Sequence, residues 1–146
     1  GVLTDNKVLT MEDGTEAVFA NRSDGLAISE LRARNISLII LSTEKNAVVH
    51  ARANKLGIPC QNAIDDKTRT LVTYCEERNI KLENVIYIGN DLNDKLAMEI
   101  VGWPICPNDA HEKIKKVSKI ILTKKGGDGV IQELLTILNN EGENDN

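Results

Sequence analysis

The chain has few aromatic residues, few histidines and no long apolar run. Aromatic side chains make up 3% of its 146 residues, so a packed core has to be mainly aliphatic. His50 and His111 lie far apart, and their spacing is not that of a zinc site. No apolar stretch approaches the roughly 18 residues of a membrane-spanning helix, so we expect no membrane partner.

Cysteines are also few, and acidic residues outnumber basic ones. Cys60, Cys75 and Cys106 are widely separated, which favours free thiols in a reducing compartment, and we expect a cytoplasmic protein. The net charge of -4 argues against nucleic acid as a partner. The 41% hydrophobic and 27% charged fractions are ordinary for a globular protein of this length.

Strand-like runs alternate with helical segments along most of the chain. SLIIL (37–41) and NVIYI (84–88) are continuously apolar, as in strands buried on both faces. WPIC (103–106) and KIILT (119–123) are predicted as short strands, the first near a sheet edge because it contains proline. Helices are predicted over 25–34, 46–56, 67–78, 93–101, 110–117 and 129–139. This order predicts an α/β fold, a Rossmann-like, doubly wound parallel sheet with helices on both faces.

A small hairpin precedes the first helix. Residues 8–10 and 17–19 flank MEDGTE, which has Asp-Gly at its centre and favours a β-hairpin turn. Ser23 and Asp24 then provide the type of side chain that caps a helix start. The hairpin is too short to form a separate domain.

One domain is predicted over residues 1–139, by length and by the continuity of the pattern. The remaining segment, 140–146, is polar and acidic and is expected to be disordered. The sequence opens on Gly1 rather than on methionine, which suggests a record that begins late.

Polar side chains follow the predicted strands, and functional residues of parallel sheets collect at those carboxyl ends. Ser42 and Thr43 follow SLIIL and could bind a phosphate oxygen; a capping or turn role is the alternative for Ser42. Lys67 opens a helix, where its charge opposes the helix dipole. A carboxylate such as Asp94 or a phosphate could compensate, although a solvated surface lysine is the alternative.

The segment GNDLND (89–94) directly follows the strand NVIYI. Gly89 permits a sharp turn, and Asn90, Asp91 and Asp94 offer the oxygen ligands that Mg²⁺ prefers. Capping of the next helix by these acidic side chains is the alternative. The later segment TKKGGDGV (123–130) is either an anion-binding loop or a flexible turn.

Taken in chain order, these motifs resemble the haloacid dehalogenase superfamily of phosphatases. The resemblance is to its capless branch, which contains 3-deoxy-octulosonate 8-phosphate phosphatases and the related domain of acylneuraminate cytidylyltransferases. GVLTDN resembles the stretch after the first motif, Asp-x-Asp-Gly-Val, and LSTEKN, DDK and GNDLND resemble motifs two, three and four. NRSDGLAI resembles the segment after the flap hairpin, and KKGGDGV the glycine-rich C-terminal segment.

The resemblance implies a haloacid dehalogenase-like fold without a cap domain and a phosphoric monoester hydrolase activity. The implied reaction is Mg²⁺-dependent hydrolysis of a phosphorylated eight- or nine-carbon sugar acid through an aspartyl-phosphate, in a homotetramer. The implied catalytic residues are Ser42 and Lys67. Phosphate and substrate would be bound by Gly1, Arg22, Asp24, Ser42, Thr43, Lys45 and Lys67, and Mg²⁺ by Asn90, Asp91 and Asp94.

The chain departs from the family pattern at three points. The Asp-x-Asp motif is absent, and its second aspartate is expected immediately before Gly1, with the nucleophile two residues earlier. Asn90 stands where a metal-binding aspartate is usual, and Asp128 where several relatives have a basic residue. These departures leave a second hypothesis open, a non-catalytic oligomerisation or regulatory domain of an acylneuraminate cytidylyltransferase. A receiver-like domain is a third, although SLIIL ends in Ser42 rather than in a phospho-acceptor aspartate.

Overall fold

The computed structural model describes residues 1–144, and strands and helices alternate along them. The strands are β1 (Leu9–Thr10), β2 (Glu16–Ala17), β3 (Ile40–Leu41), β4 (Cys60–Gln61), β5 (Ile86–Ile88), β6 (Trp103–Cys106) and β7 (Ile120–Ile121). The helices are α1 (Arg22–Ala33), α2 (Val48–Leu56), α3 (Lys67–Glu77), α4 (Lys95–Ile100), α5 (Glu112–Val117) and α6 (Val130–Asn144). Short 3₁₀ turns cover Leu82–Asn84 and Leu92–Asp94. The predicted helices and hairpin are therefore present, with ends shifted by a few residues.

The parallel strands form two separate ladders. In the first, β3 pairs with β4, a strand that the sequence pattern did not predict. In the second, the order is β5-β6-β7, again parallel throughout. Within the described chain, β3 and β5 each pair with a strand on one side only, while β1 and β2 form the predicted antiparallel hairpin. One edge of β3 and one edge of β5 are thus left without a strand partner among residues 1–144.

Helices cover both faces of the longer ladder. Tyr87 and Cys106 point to one face, where they pack with buried residues of α3, α4 and α5. Ile88 and Ile105 point to the other face, where they pack against Val130 and other apolar residues of α6. Successive residues of a strand face opposite sides, so this alternation produces one apolar cluster on each face. The packing is that of a doubly wound sheet.

The strand β6 lies between β5 and β7, so the prediction that it is near an edge was wrong. The prediction assumed that Pro104 would break a ladder of hydrogen bonds, because it has no backbone N–H. The Pro104 carbonyl accepts a bond from Lys119 N at 2.8 Å, one residue before the first Ile105–Ile120 pair. The backbone nitrogen of Pro104, which cannot donate, therefore lies before the point where β7 begins. No hydrogen bond between β6 and β7 is lost.

The cap of α1 also differs from the prediction. Asn21, rather than Ser23 or Asp24, is the N-cap residue, and its side chain accepts a bond from Ser23 N at 2.9 Å. Asp24 instead accepts bonds from Ile131 N at 2.9 Å and Gln132 N at 3.4 Å. Asp24 thereby caps the start of α6, a contact between segments more than a hundred residues apart that local sequence does not reveal.

The last helix extends beyond its predicted end at residue 139. Helix α6 continues through Asn144, into the segment 140–146 for which the sequence predicts disorder. Once residues 130–138 are fixed against the sheet, each further helical residue adds a hydrogen bond without a new nucleation cost. Residues 145–146 lie outside the described part of the chain.

Candidate active site

The carboxylate of Asp94 is the centre of the site at the carboxyl end of β5. Its Oδ1 accepts hydrogen bonds from Lys67 Nζ and from the Tyr87 hydroxyl, both at 2.7 Å. Its Oδ2 accepts from the backbone N–H groups of Asn90 at 2.9 Å and Asp91 at 3.2 Å. Asp94 is only 3% exposed, so four donors replace the water that it loses on burial.

The electrostatics of this cluster keep Asp94 ionised. Burial alone would raise the pKa of Asp94, but the charge of Lys67 and the hydrogen bonds from Lys67, Tyr87 and Asn90 hold it below its ordinary value. Burial, and then the negative charge of Asp94, raise the pKa of the Tyr87 phenol. Tyr87 therefore stays protonated as a donor, and the Lys67 ammonium faces a permanent negative charge.

Local geometry at the strand end depends on Gly89. A Cβ atom at this position would lie 2.6 Å from Cβ of Asp94 and 2.7 Å from Sδ of Met98. Only glycine lets the chain pass this close to the helix that follows. The capping box between Asp91 and Asp94 then fixes the turn Leu92–Asp94. The acidic residues therefore do cap the turn, which was the alternative role predicted for them. The same capping bonds fix their positions at the strand end.

The three predicted metal ligands are not equivalent. Both oxygens of Asp94 already accept hydrogen bonds, from Lys67 and Tyr87 at Oδ1 and from two backbone N–H groups at Oδ2, and its role as a Mg²⁺ ligand stays a prediction. The Asp91 side chain is exposed; its Oδ1 accepts from Leu92 N at 2.7 Å, and the side chain also accepts from the Asp94 backbone in the capping box. The backbone of Asn90 is held on both sides, by Asp94 and by His111 N at 2.9 Å, which fixes where its amide is presented.

The remaining oxygens fit a shared magnesium site. Within residues 1–144 no group of three or more His, Cys, Asp or Glu side chains is placed to hold a metal alone. Mg²⁺ commonly takes one or two carboxylates, keeps several waters and completes its shell with phosphate oxygens. Asp91 and the carbonyl oxygen of Asn90 are suited to that partial role.

The loop after β3 reaches the same end of the sheet. Thr43 Oγ1 accepts a bond from Asn93 Nδ2 at 3.3 Å, which links this loop to GNDLND. Ser42 Oγ accepts from Glu44 N at 3.1 Å, so it forms the local turn given above as its alternative role, and it remains partly exposed. Lys45 is exposed in the same loop. The structure thus brings the loop containing Ser42 and Thr43 close to the segment that contains Asp94.

Gly1 lies at this site as well. Its nitrogen lies near the charged side chains of Asp94, Lys67, Asp109 and Asp91. Sequence reasoning missed Asp109, which accepts a bond from Gly126 N at 3.0 Å. Asp109 lies three residues after the end of β6. Its place after a strand is the same signal that identified Ser42 and Asp91, and it could have identified Asp109.

The glycine-rich segment is pinned rather than flexible. Gly127 N donates to Val2 O at 2.9 Å, and Glu133 accepts bonds from Thr123 N at 2.9 Å and Lys124 N at 3.1 Å. With these N–H groups engaged, the loop is not a free anion-binding nest. Its backbone instead packs against the first residues of the chain.

Neither Arg22 nor Asp24 has a described contact with the cluster around Asp94. Asp24 is completely buried, and its Oδ1 caps α6. The hydrogen bonds of Asp24 are made to α6, and its contact with substrate stays a prediction. Arg22 is exposed as the first residue of α1, and its guanidinium has no hydrogen bond or ion pair within the described chain. Tyr87, by contrast, was not predicted, because an aromatic residue inside an apolar strand is usually a core residue.

Comparison with known proteins supports the resemblance of the motifs. The chain is 28% identical over 135 residues to N-acylneuraminate cytidylyltransferase A of Danio rerio, of which it spans 31%. It is 30% identical over 141 residues to the 3-deoxy-D-manno-octulosonate 8-phosphate phosphatase of Salmonella typhi, of which it spans 74%. The chain thus spans less than a third of the first relative and about three quarters of the second.

A solved structure gives the same result. The 3-deoxy-D-manno-octulosonate 8-phosphate phosphatase of Moraxella catarrhalis, in complex with magnesium, phosphate and KDO, superimposes with a TM-score of 0.91 at 33% identity. The alignment covers 96% of this chain and 81% of that one, and it confirms the predicted α/β fold class.

Residues 60–134, about half of the chain, match the family of haloacid dehalogenase-like hydrolases. Together with the two phosphatases this match confirms the predicted enzyme class, phosphoric monoester hydrolase. The chain belongs to the haloacid dehalogenase-like hydrolase family.

Proposed function

We propose that this domain is a Mg²⁺-dependent phosphatase that hydrolyses a phosphorylated sugar acid of the KDO-8-phosphate or nonulosonate-9-phosphate type. The observation that carries the proposal is the buried Lys67–Asp94 pair at 2.7 Å, next to the loop of Ser42 and Thr43. The pair holds the Lys67 ammonium in a fixed position that a phosphate group can approach. The relatives that act on such a substrate align over 94% of this chain.

Lys67 and Ser42 would bind the transferring phosphoryl group. The ammonium of Lys67 offsets negative charge on the phosphate oxygens, and Ser42 and Thr43 can donate hydroxyl hydrogen bonds to them. Phosphoryl transfer depends mainly on such positioning and charge stabilisation. Lys45 and Arg22 remain candidates for the sugar-acid carboxylate, because both are exposed cations.

The nucleophile would be the first aspartate of an Asp-x-Asp motif whose second aspartate immediately precedes Gly1. The Gly1 nitrogen already lies among the charges of Lys67, Asp91, Asp94 and Asp109, and the unpaired edges of β3 and β5 leave a place for one further strand. Attack of this carboxylate on phosphorus would break the P–O ester bond, and the second aspartate would protonate the leaving oxygen of the sugar acid. The same aspartate would then take a proton from water, which would hydrolyse the aspartyl-phosphate to inorganic phosphate. The coding sequence upstream of Gly1 tests this directly: Asp-x-Asp is expected, and its absence would refute the mechanism.

Asp91 and the amide oxygen of Asn90 would hold Mg²⁺. The bound ion would supply positive charge to the phosphate oxygens. Asn90 contributes an oxygen without a charge, so we expect weaker metal affinity than a second carboxylate would give.

The hairpin and its surroundings support a homotetramer of single domains. Val8, Leu9, Met11 and Phe19 are more than half exposed although all four are apolar. Apolar surface of this kind, on a flap too short to cover the site, suits contact with another copy. We place the protein in the cytoplasm, in agreement with three unpaired cysteines in the described chain. In residues 1–144 no helix combines the length and apolarity needed to cross a bilayer.

The proposal is tested by phosphate release from KDO-8-phosphate and from N-acylneuraminate 9-phosphate, assayed with the full-length protein in Mg²⁺ and in chelator. Turnover of one ester in Mg²⁺ and its loss in chelator are expected. If a correctly folded protein released phosphate from neither ester, the phosphatase function would be refuted.

That negative result would favour a second function, a non-catalytic oligomerisation or regulatory domain of an acylneuraminate cytidylyltransferase. Asn90 in place of a charged ligand supports this alternative, as does the alignment with 31% of such an enzyme. This second function predicts an upstream reading frame that encodes a further domain. It also predicts that assembly of the whole protein depends on the domain described above.

A further inference from the structure

Tyr87 is a buried phenol whose hydroxyl points into the site. Its residue is 8% exposed, and its ring packs in the cluster formed with α3, α4 and α5. The hydroxyl donates to Asp94 Oδ1 at 2.7 Å. A simple core position would be filled as well by phenylalanine, so the hydroxyl needs a separate reason.

The orientation of Asp94 depends on donors on both of its oxygens. Backbone N–H groups of Asn90 and Asp91 fix Oδ2, and these cannot move without moving the strand end. Oδ1 has two partners, the Tyr87 hydroxyl and Lys67 Nζ. Of these, the tyrosine ring is held by packing, whereas the lysine has four rotatable bonds.

We infer that Tyr87 is a positioning residue, which acts through Asp94 to hold the ammonium of Lys67 toward the phosphate. The inference rests on the proposed function for its effect on catalysis, but the contact itself is independent of it. The Tyr87 hydroxyl occupies one side of Oδ1, so Lys67 can approach only from the other side. Without the hydroxyl, Oδ1 would accept Lys67 from several directions, and the ammonium would no longer have one fixed place.

The chain offers a matched control, because its only other tyrosine is also buried. The hydroxyl of Tyr74 forms a hydrogen bond with Ser37 Oγ at 2.8 Å. Ser37 precedes β3, so this pair lies at the amino end of the strand, opposite the site. Tyr87→Phe and Tyr74→Phe each delete one buried hydroxyl and keep the ring.

The first measurement does not depend on activity. Lysine acetylation by acetic anhydride, followed by mass spectrometry, reports how firmly Lys67 is held, since its side chain is only 11% exposed. With labelling of the exposed Lys125 as internal reference, Lys67 labelling should rise several-fold in Tyr87→Phe and stay unchanged in Tyr74→Phe. No rise in Tyr87→Phe, or an equal rise in both variants, would overturn the inference.

The second measurement is steady-state kinetics with the ester that the wild-type protein hydrolyses. We expect kcat to fall about tenfold in Tyr87→Phe, the scale of one well-oriented hydrogen bond, with KM nearly unchanged. Tyr74→Phe should keep the wild-type kcat. Unchanged kcat in Tyr87→Phe would refute the positioning role. If the wild-type protein is inactive but Lys67 labelling rises only in Tyr87→Phe, the proposed function is refuted and the contact of Tyr87 with Asp94 is supported.

Discussion

The ammonium of Lys67 lies 2.7 Å from Oδ1 of Asp94, and the two partners depend on each other unequally. Asp94 has three further donors, whereas Lys67 has no other hydrogen-bond partner for its ammonium within residues 1–144. Loss of the lysine leaves a buried carboxylate that keeps three donors. Loss of the aspartate leaves a part-buried cation and three unpaired donors.

This asymmetry predicts unequal losses of stability. Asp94→Ala should lower the free energy of unfolding by about 3 kcal/mol, because breaking a buried pair leaves the other charge uncompensated. Lys67→Ala should lower it by less, about 1.5 kcal/mol, the lower end for a hydrogen bond to a charged group, because Asp94 keeps three other donors. Urea unfolding of both variants measures the difference, and equal losses would contradict the described geometry.

A charge at position 90 should strengthen magnesium binding. Asn90→Asp supplies a carboxylate where an amide now stands, and more ligand charge tightens the binding of hard cations. The dissociation constant for Mg²⁺, measured by calorimetry, should fall by about tenfold. Asn93→Asp is the control, because it adds the same charge three residues away; an equal effect there would mean that general electrostatics, not ligation, is responsible.

The glycine-rich segment should tolerate no side chain at Gly126. A Cβ there would lie 2.1 Å from the carbonyl oxygen of Gly1. Gly126→Ala should therefore destabilise the fold by about 2 kcal/mol through overpacking. Gly25→Ala is the control: its nearest contact would be an ordinary 3.6 Å, and alanine inside α1 should stabilise by about 0.5–1 kcal/mol. Thermal unfolding with the opposite order of stability would show that the segment does not pack on Gly1.

The bonds of Glu133 to the glycine-rich segment should give a pH-dependent contribution to stability. Burial would raise its pKa, but bonds from Thr123 and Lys124 hold the pKa below the ordinary 4.5. The folded pKa is the lower one, so the contribution is present above pH 4.5 and is lost as pH falls through the folded value.

Glu133→Gln should accordingly lower the free energy of unfolding by about 1 kcal/mol at pH 7 and by progressively less in acid. Glu141→Gln, an exposed change on the same helix, is the control and should have little effect at any pH. A Glu133→Gln deficit that does not shrink in acid would show that the carboxylate charge is not its source.

A charge on the flap should disrupt assembly. Phe19 is 80% exposed, and Phe19→Glu should shift the mass measured by light scattering from tetramer toward smaller species. Leu96→Glu is the matched control, since Leu96 is 66% exposed on α4, away from the hairpin. Equal effects of the two changes, or a monomeric wild-type protein, would refute the flap-mediated tetramer.

Sequence patterns predicted the elements better than their partners. Apolar runs and strand-end residues identified β3, β5 and the cluster around Lys67, because these depend on local composition and on a general rule for parallel sheets. The dipole argument at Lys67 also named its partner, Asp94. The two-residue strand β4 was missed because Cys60 and Gln61 have no strand-like pattern of their own; their pairing with β3 defines them.

Two kinds of contact account for the other differences. Asp24 looked like a local helix cap, but it caps α6 from a position more than a hundred residues away. Tyr87 looked like a core residue, although its hydroxyl lies beside Asp94, seven positions along the chain. The backbone donors of Asn90 and Asp91 to Asp94 are also local, but they depend on the turn after Gly89, which composition does not define.

The most direct test of the phosphatase site is phosphate release by Lys67→Ala compared with Lys125→Ala in the full-length protein. Both variants remove one lysine charge, but Lys67 is paired with Asp94 inside the site and Lys125 is exposed on the glycine-rich segment. We predict that Lys67→Ala abolishes Mg²⁺-dependent turnover with the fold intact, while Lys125→Ala retains it. Wild-type turnover in Lys67→Ala would contradict the central role assigned to this lysine.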